Sequence, residues 1–289
     1  MLAALALAVS PAWTQAQPRP AQPVAFEVAS VKPHAADDRT LMPPTVLPGG
    51  RFVAKFPASM LISYAYRLPD NPSLRLTGVP DWSRGDRRTM AGFYDIEAMG
   101  KMPAGMTAGA REDRMRSMVQ ALLADRFRLA IHRETKEMPV YALVQAKGGS
   151  KLRKADVEEI DCPEASAPPT APTAAALRVC HVINGGRGRG IHAWAVNMSD
   201  LARFVENWTD RPLLDKTGLT GLYQIETTGW LPMDAIAAAT PGAKAEDGTD
   251  MADVPTVFQL FERLGLKMEA QTGKADLYVV DHIERPSEN

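Results

Sequence analysis

Lys216-Thr217-Gly218 has the spacing of the KTG box that penicillin-binding proteins and β-lactamases use beside a serine nucleophile. That acyl-transfer chemistry needs a Ser-x-x-Lys string, and no serine of this chain has a lysine three residues later. The box therefore reads as a glycine turn within Asp215-Lys-Thr-Gly-Leu-Thr-Gly221. A Gly-x-Ser-x-Gly elbow is absent, so nucleophilic hydrolysis would need a dispersed Ser-His-Asp triad. His132 lies in an alternating strand, where a cross-strand pair with a charged neighbour is expected, and His282 sits in the C-terminal tail. The five histidines, 34, 132, 181, 192 and 282, show no metal-ligand spacing, and Asp37-Asp38 is an isolated acidic pair. No Walker string is present, and Gly185-Gly-Arg-Gly-Arg-Gly190 lacks the strand and helix that a dinucleotide fingerprint requires. Asp95, Glu97 and Glu226 could pair as glycosidase carboxylates, but alternation sets Asp95 and Glu97 opposite Tyr94 and Ile96, on a solvated strand face. No catalytic residue, no metal ligand and no cofactor is assigned.

Binding is the chemistry left. Tyr64, Tyr66, Trp82, Trp194 and Trp230 are the candidate binding residues, as aromatics that could line a groove for a peptide or a glycan. The competing reading makes them core. Cys162 and Cys180 are the two cysteines, and a bridge between them would close a loop of about 18 residues. Zinc would need four ligands where only His181 and His192 lie nearby, and two free buried thiols stay open as a third reading.

The elements that must position these residues follow from periodicity. Phe26–Val31, Arg51–Phe56 and Tyr94–Glu97 alternate as strands, and Ser59 is a candidate cap for a helix from Met60 to Tyr66. Met115, Met118, Val119 and Leu122 fall at helical spacing, in a helix running to about Asp125. Phe127–Ile131 and Val140–Val144 read as a hairpin with a polar tip at Glu134–Glu137. The second half repeats this grammar: a strand at Ile191–Val196, a helix capped by Ser199, a strand at Tyr223–Glu226, and a helix from Pro255 to Gly265. A closing hairpin at Leu266–Met268 and Leu277–Val280 turns at Thr272-Gly273. An offset of 137 aligns Phe127 with Leu264 and Tyr141 with Tyr278 without a gap. The fold class expected is α+β, as two similar lobes from an internal duplication, each strand-helix-strand-helix-hairpin with mainly antiparallel sheet.

At 289 residues, with 45% hydrophobic and 23% charged, the chain is long and apolar enough for one large or two modest domains. Thirty-three Lys+Arg against 34 Asp+Glu leave a formal charge of −1, which gives no general attraction to nucleic acid. Residues 1–16 read as a signal peptide, with an apolar run from Leu2 to Val9 too short to span a bilayer. The expected order is then a Pro-rich lead-in at 17–25, a first lobe at 26–150, a Pro/Ala/Gly-rich linker at 151–190 and a second lobe at 191–289. Export to the periplasm or beyond is expected, with no membrane span in the mature chain.

FEVASVKP at 26–33, LLADRFRLAIHRETKEMPVYALV at 122–144, RPLLDKTGLTGLYQIE at 211–226 and VVDHIERPSEN at 279–289 resemble the signature segments of a conserved-hypothetical secreted family. That family is expanded in soil acidobacteria and is catalogued as a domain of unknown function. Similar domains occur fused to BlaR-like membrane metallopeptidases, which implies an extracytoplasmic sensing or binding role; the HExxH of the peptidase is missing here. Leu264-Gly265-Leu266 is also similar to the helix-to-hairpin turn of the short N-terminal domains of secretins and TonB-dependent receptors, which are interaction modules. The function expected is an exported, non-catalytic binding or protein-interaction module of the cell envelope. Its partner would be an envelope protein or peptide, with a glycan as the further candidate. The competing class is a secreted hydrolase acting on cell-wall or polymeric substrate.

Overall fold

Apolar side chains at alternate positions give Phe93–Met99 (β5) one buried face, and the strand becomes the spine of a four-stranded antiparallel sheet. β1 (Val28–Pro33) pairs on one side and β3 (Arg51–Pro57) on the other, with β2 (Met42–Leu47) at the edge beyond β3. Helices α1 (Ala58–Ala65) and α2 (Ala108–Arg126) contribute to one core with this sheet, in which Phe52, Leu61, Ile62, Ile96, Met118 and Phe127 are fully buried. The computed structural model describes residues 24–70, 72–163, 178–186, 188–231 and 254–286. The expected signal peptide and most of the Pro-rich lead-in lie outside the described residues, as does most of the Pro/Ala-rich stretch after Pro163.

A second antiparallel sheet has the order β7-β11-β9-β8: Arg153–Lys154, Tyr223–Glu226, Gly190–Val196 and Asn184–Gly186. Helices α3 (Met198–Glu206) and α4 (Val257–Arg263) share its core with Ile191, Leu201, Trp230 and Phe261. Strand for strand, its order matches β1-β5-β3-β2 of the first sheet. The stretch expected as a linker thus supplies strands β7 and β8 to the second sheet.

The third sheet corrects both expected hairpins. Ala130–Gln145 (β6) is one continuous strand and Leu266–His282 (β12) is another, and they pair antiparallel with each other along nearly their whole length. The residues expected at the first polar tip are mid-strand: Thr135 donates from Oγ1 to Asp276 Oδ1 at 2.7 Å, and Glu137 faces Lys274. Gly273, expected in a turn, is a strand residue opposite Met138, where a Cβ would come within 2.9 Å of the Val140 side chain. Its glycine serves close packing rather than chain reversal. Two short strands complete the sheet in parallel, β4 (Leu76–Thr77) beside β12 and β10 (Leu213–Asp215) beside β6. Leu76 pairs with Tyr278 and Leu213 with Tyr141, so one offset of 137 carries either first-half residue onto its second-half counterpart. The same offset carries Glu137 onto its own partner Lys274, which puts the centre of this correspondence on that pair.

Helix starts also differ from expectation. Pro57 occupies the N-cap of α1, and Ser59 lies buried inside the helix. Asn197, not Ser199, caps α3: its side chain accepts from the Asp200 backbone N–H at 2.9 Å, while the Asp200 carboxylate accepts from the Asn197 N–H. Thr256 and Gln259 form the same box on α4, leaving Pro255 just outside the helix. No helix among the described residues is long and apolar enough to cross a membrane.

Candidate functional site

Where the first half meets the second, the end of α1 and the segment before β4 face α3, β10 and β12, enclosing a cavity of about 420 Å³. Its floor is an ion pair. Arg75 reaches Glu206 of α3 through two parallel hydrogen bonds, Nε to Oε1 at 2.5 Å and Nη2 to Oε2 at 2.6 Å. Glu206 is only 3% exposed, and its Oε2 also accepts from the Leu213 backbone N–H at 2.8 Å, the first residue of β10. One carboxylate therefore ties the first half, α3 and the central sheet together.

The other charges around the cavity sort into spent and unspent. Asp215 accepts from the Thr217 backbone N–H and Oγ1 at 2.9 and 2.7 Å, and Asp276 from Thr135 Oγ1. Asp200 holds His181 and Arg203, and Arg67 is paired with Asp113. Lys216 and Lys274, both exposed, have no ion-pair partner among the described residues. Glu206, Asp200 and Asp276 have cationic partners, Asp215 has only the neutral Thr217 donors, and the two ammonium groups have none, so the unpaired lining charges sum to about one positive charge. Tyr66 and Tyr278 form one wall, with ring centroids 5.2 Å apart.

A smaller recess of about 210 Å³ adjoins, sharing Pro69, Asp200 and Arg203 with the first. His181 sits in it, held in the left-handed backbone region and tied at both ring nitrogens, Nδ1 to Asp200 Oδ2 at 2.6 Å and Nε2 to Glu159 Oε2 at 3.0 Å. Burial opposes a charge on this ring, but the hydrogen bond and charge of Asp200, with Glu159 behind, raise its pKa above the ordinary value. Asp200 shifts the opposite way: burial works against ionisation, yet His181, Arg203 and the Asn197 N–H lower its pKa. Glu159 also accepts from the Gly109 backbone N–H at the start of α2, and Cys180, next to His181, is bonded to Cys162. The apolar part of the recess is Val182, Ile183 and Phe204.

At His181 the arrangement suits holding a charge rather than moving a proton, because both ring nitrogens are taken. A general base needs a ring nitrogen free to reach substrate. His34 is bound by Asp95 and the Asp38 carbonyl, His132 by Asp281 and Glu134, and His192 by Glu226 and the Arg189 carbonyl, as His181 is by its two carboxylates. His132 thus makes the charged sheet-face pair its strand position suggests.

The five aromatics singled out from the sequence do not share one surface. Trp230 is 0% exposed, packed edge-on to Trp208 in the second core, so it is a core residue and not a groove lining. Tyr64 packs on Phe52 with the Arg116 guanidinium over its ring, and Trp82 borders the first core with Arg285 over its face. Trp194 lies beside the disulfide cluster, under Arg178. Only Tyr66 lines the seam cavity. Arg75, Glu206, His181 and Asp200 went unselected in the sequence, because the contacts that define them join residues as far apart as Arg75 and Glu206. The cysteine pair is joined as expected, at a Cα separation of 5.9 Å.

No curated protein and no solved structure matches the chain. A family model described as a protein of unknown function, DUF3738, matches residues 59–283, a span that takes in the second half, the central sheet and the seam and begins after β1, β2 and β3 of the first sheet. The chain belongs to the DUF3738 family.

Proposed function

We propose that this protein is an exported, non-catalytic binding module of the cell envelope, and that the seam groove is its contact surface. The observation that carries the reading is the charge state of the groove: its arginines and the carboxylates Asp200, Glu206 and Asp276 are ion-paired, while among the described residues Lys216 and Lys274 face it without an ion-pair partner. Binding surfaces keep such unspent charge for a complementary partner. The tied ring nitrogens of His34, His132, His181 and His192 support binding over hydrolysis. The Cys162–Cys180 bond supports export, since such bonds persist in oxidising compartments. The matching strand orders and the common offset of the two parallel pairs support descent of both halves from one duplicated unit.

Mild crosslinking of the chain in a cell-envelope fraction tests the reading. A discrete adduct is expected with the wild type and should be lost with Lys216→Glu/Lys274→Glu, two exposed positions whose reversal leaves the melting temperature nearly unchanged. An adduct equally strong with the double variant, or none with the wild type, overturns it.

A further inference from the structure

The two recesses lie side by side on α3, joined at Pro69, Asp200 and Arg203, and they differ in chemistry: the larger carries Lys216 and Lys274, and in the smaller Val182 is 42% exposed beside Ile183 and Phe204. We propose that this groove takes a short extended peptide segment, with carboxylates against the two lysines and an apolar side chain in the Val182 recess. The inference rests on the binding-module reading above and adds the chemical class of the partner.

The larger recess meets α3 at Ser199, Ala202 and Glu206 and the smaller at Phe204 and Asn207, so a ligand that reaches both crosses the helix where they join, at Asp200 and Arg203. That junction is polar. A peptide backbone can hydrogen-bond along such a surface, whereas an acyl chain with the same terminal carboxylate would desolvate it without compensation. The apolar end is held in place from behind: the disulfide anchors Cys180, and His181 is clamped between Asp200 and Glu159. The recess is therefore set before a ligand arrives, which lowers the ordering cost of binding.

Fluorescence anisotropy on the whole chain tests this with two labelled pentapeptides, Leu-Ser-Gly-Glu-Glu and its reverse. Each is compared with the version in which glutamine replaces glutamate. At least one acidic peptide should bind about tenfold more tightly than its glutamine version, with the preference shrinking as salt rises. Lys216→Gln/Lys274→Gln should erase that preference, and Val182→Ser should weaken acidic and neutral peptides alike. Equal binding of acidic and neutral peptides, or a preference that survives the lysine substitutions, overturns the proposal. Oleate binding more tightly than either peptide also overturns it, by assigning the groove to acyl chains. If neither peptide binds while the envelope adduct still depends on Lys216 and Lys274, the peptide class is wrong and the module reading stands. If the adduct is missing as well, both fall.

Discussion

Replacing Glu206 with alanine would strand the Arg75 guanidinium in the seam and leave the Leu213 N–H without its acceptor. Removing one partner of a buried pair typically costs about 3–5 kcal/mol, and the slight exposure of Arg75 places the loss toward the lower end. Urea unfolding of Glu206→Ala should show it, and Arg75→Met/Glu206→Leu should recover much of it by removing both charges together. His181 sets a pH dependence. Its raised folded pKa means that its contribution is fully present below the ordinary histidine value of 6.5 and is lost as pH rises through the folded value above it. Asp200 acts at the other limit: its lowered pKa gives stability present above 3.8 and lost as pH falls through the folded value below that. Thermal midpoints of wild type against His181→Gln should therefore diverge most in mild acid and converge as pH is raised. A constant difference across that range would contradict the assignment.

Among the elements, β6 and β12 show what periodicity can and cannot reveal. Alternation correctly marks extended chain at Ala130–Ile131 and Val140–Val144, whereas Phe127 caps α2 and Arg128 has a positive φ; the segment between lacks glycine and has one proline, Pro139. Reading it as a tip followed from its charge alone: Glu134 and Lys136 pair with each other, and the strand that pairs with this segment is about 140 residues away. Helix caps were misjudged for a related reason. Ser59 and Ser199 are acceptable caps in isolation, but Pro57 ends β3 and starts α1 earlier, and the Asn197–Asp200 box wins over Ser199. The pairing itself is checkable: Glu137→Cys with Lys274→Cys sits on directly opposed residues and should oxidise to a crosslink joining the two halves. Two separate hairpins would leave those thiols unlinked.

For the molecule as a whole, each half donates a long strand to a sheet that neither half owns. Unfolding should accordingly be a single transition, with calorimetric and van't Hoff enthalpies in agreement; two resolved transitions would mean that the halves are energetically independent. The α+β class was legible from hydrophobic spacing, as were the main helices, whereas the two long strands Ala130–Gln145 and Leu266–His282 were each read as a hairpin. The groove was not legible, because its walls come from Tyr66, Arg203, Lys216 and Lys274, and only the crossing of the two halves brings them together. The disulfide spans the stretch between those halves. A protease that cut anywhere between residues 163 and 179 would produce two polypeptides yet release neither, since one sulfur bridge and a braided pair of strands would go on holding the nicked protein as one.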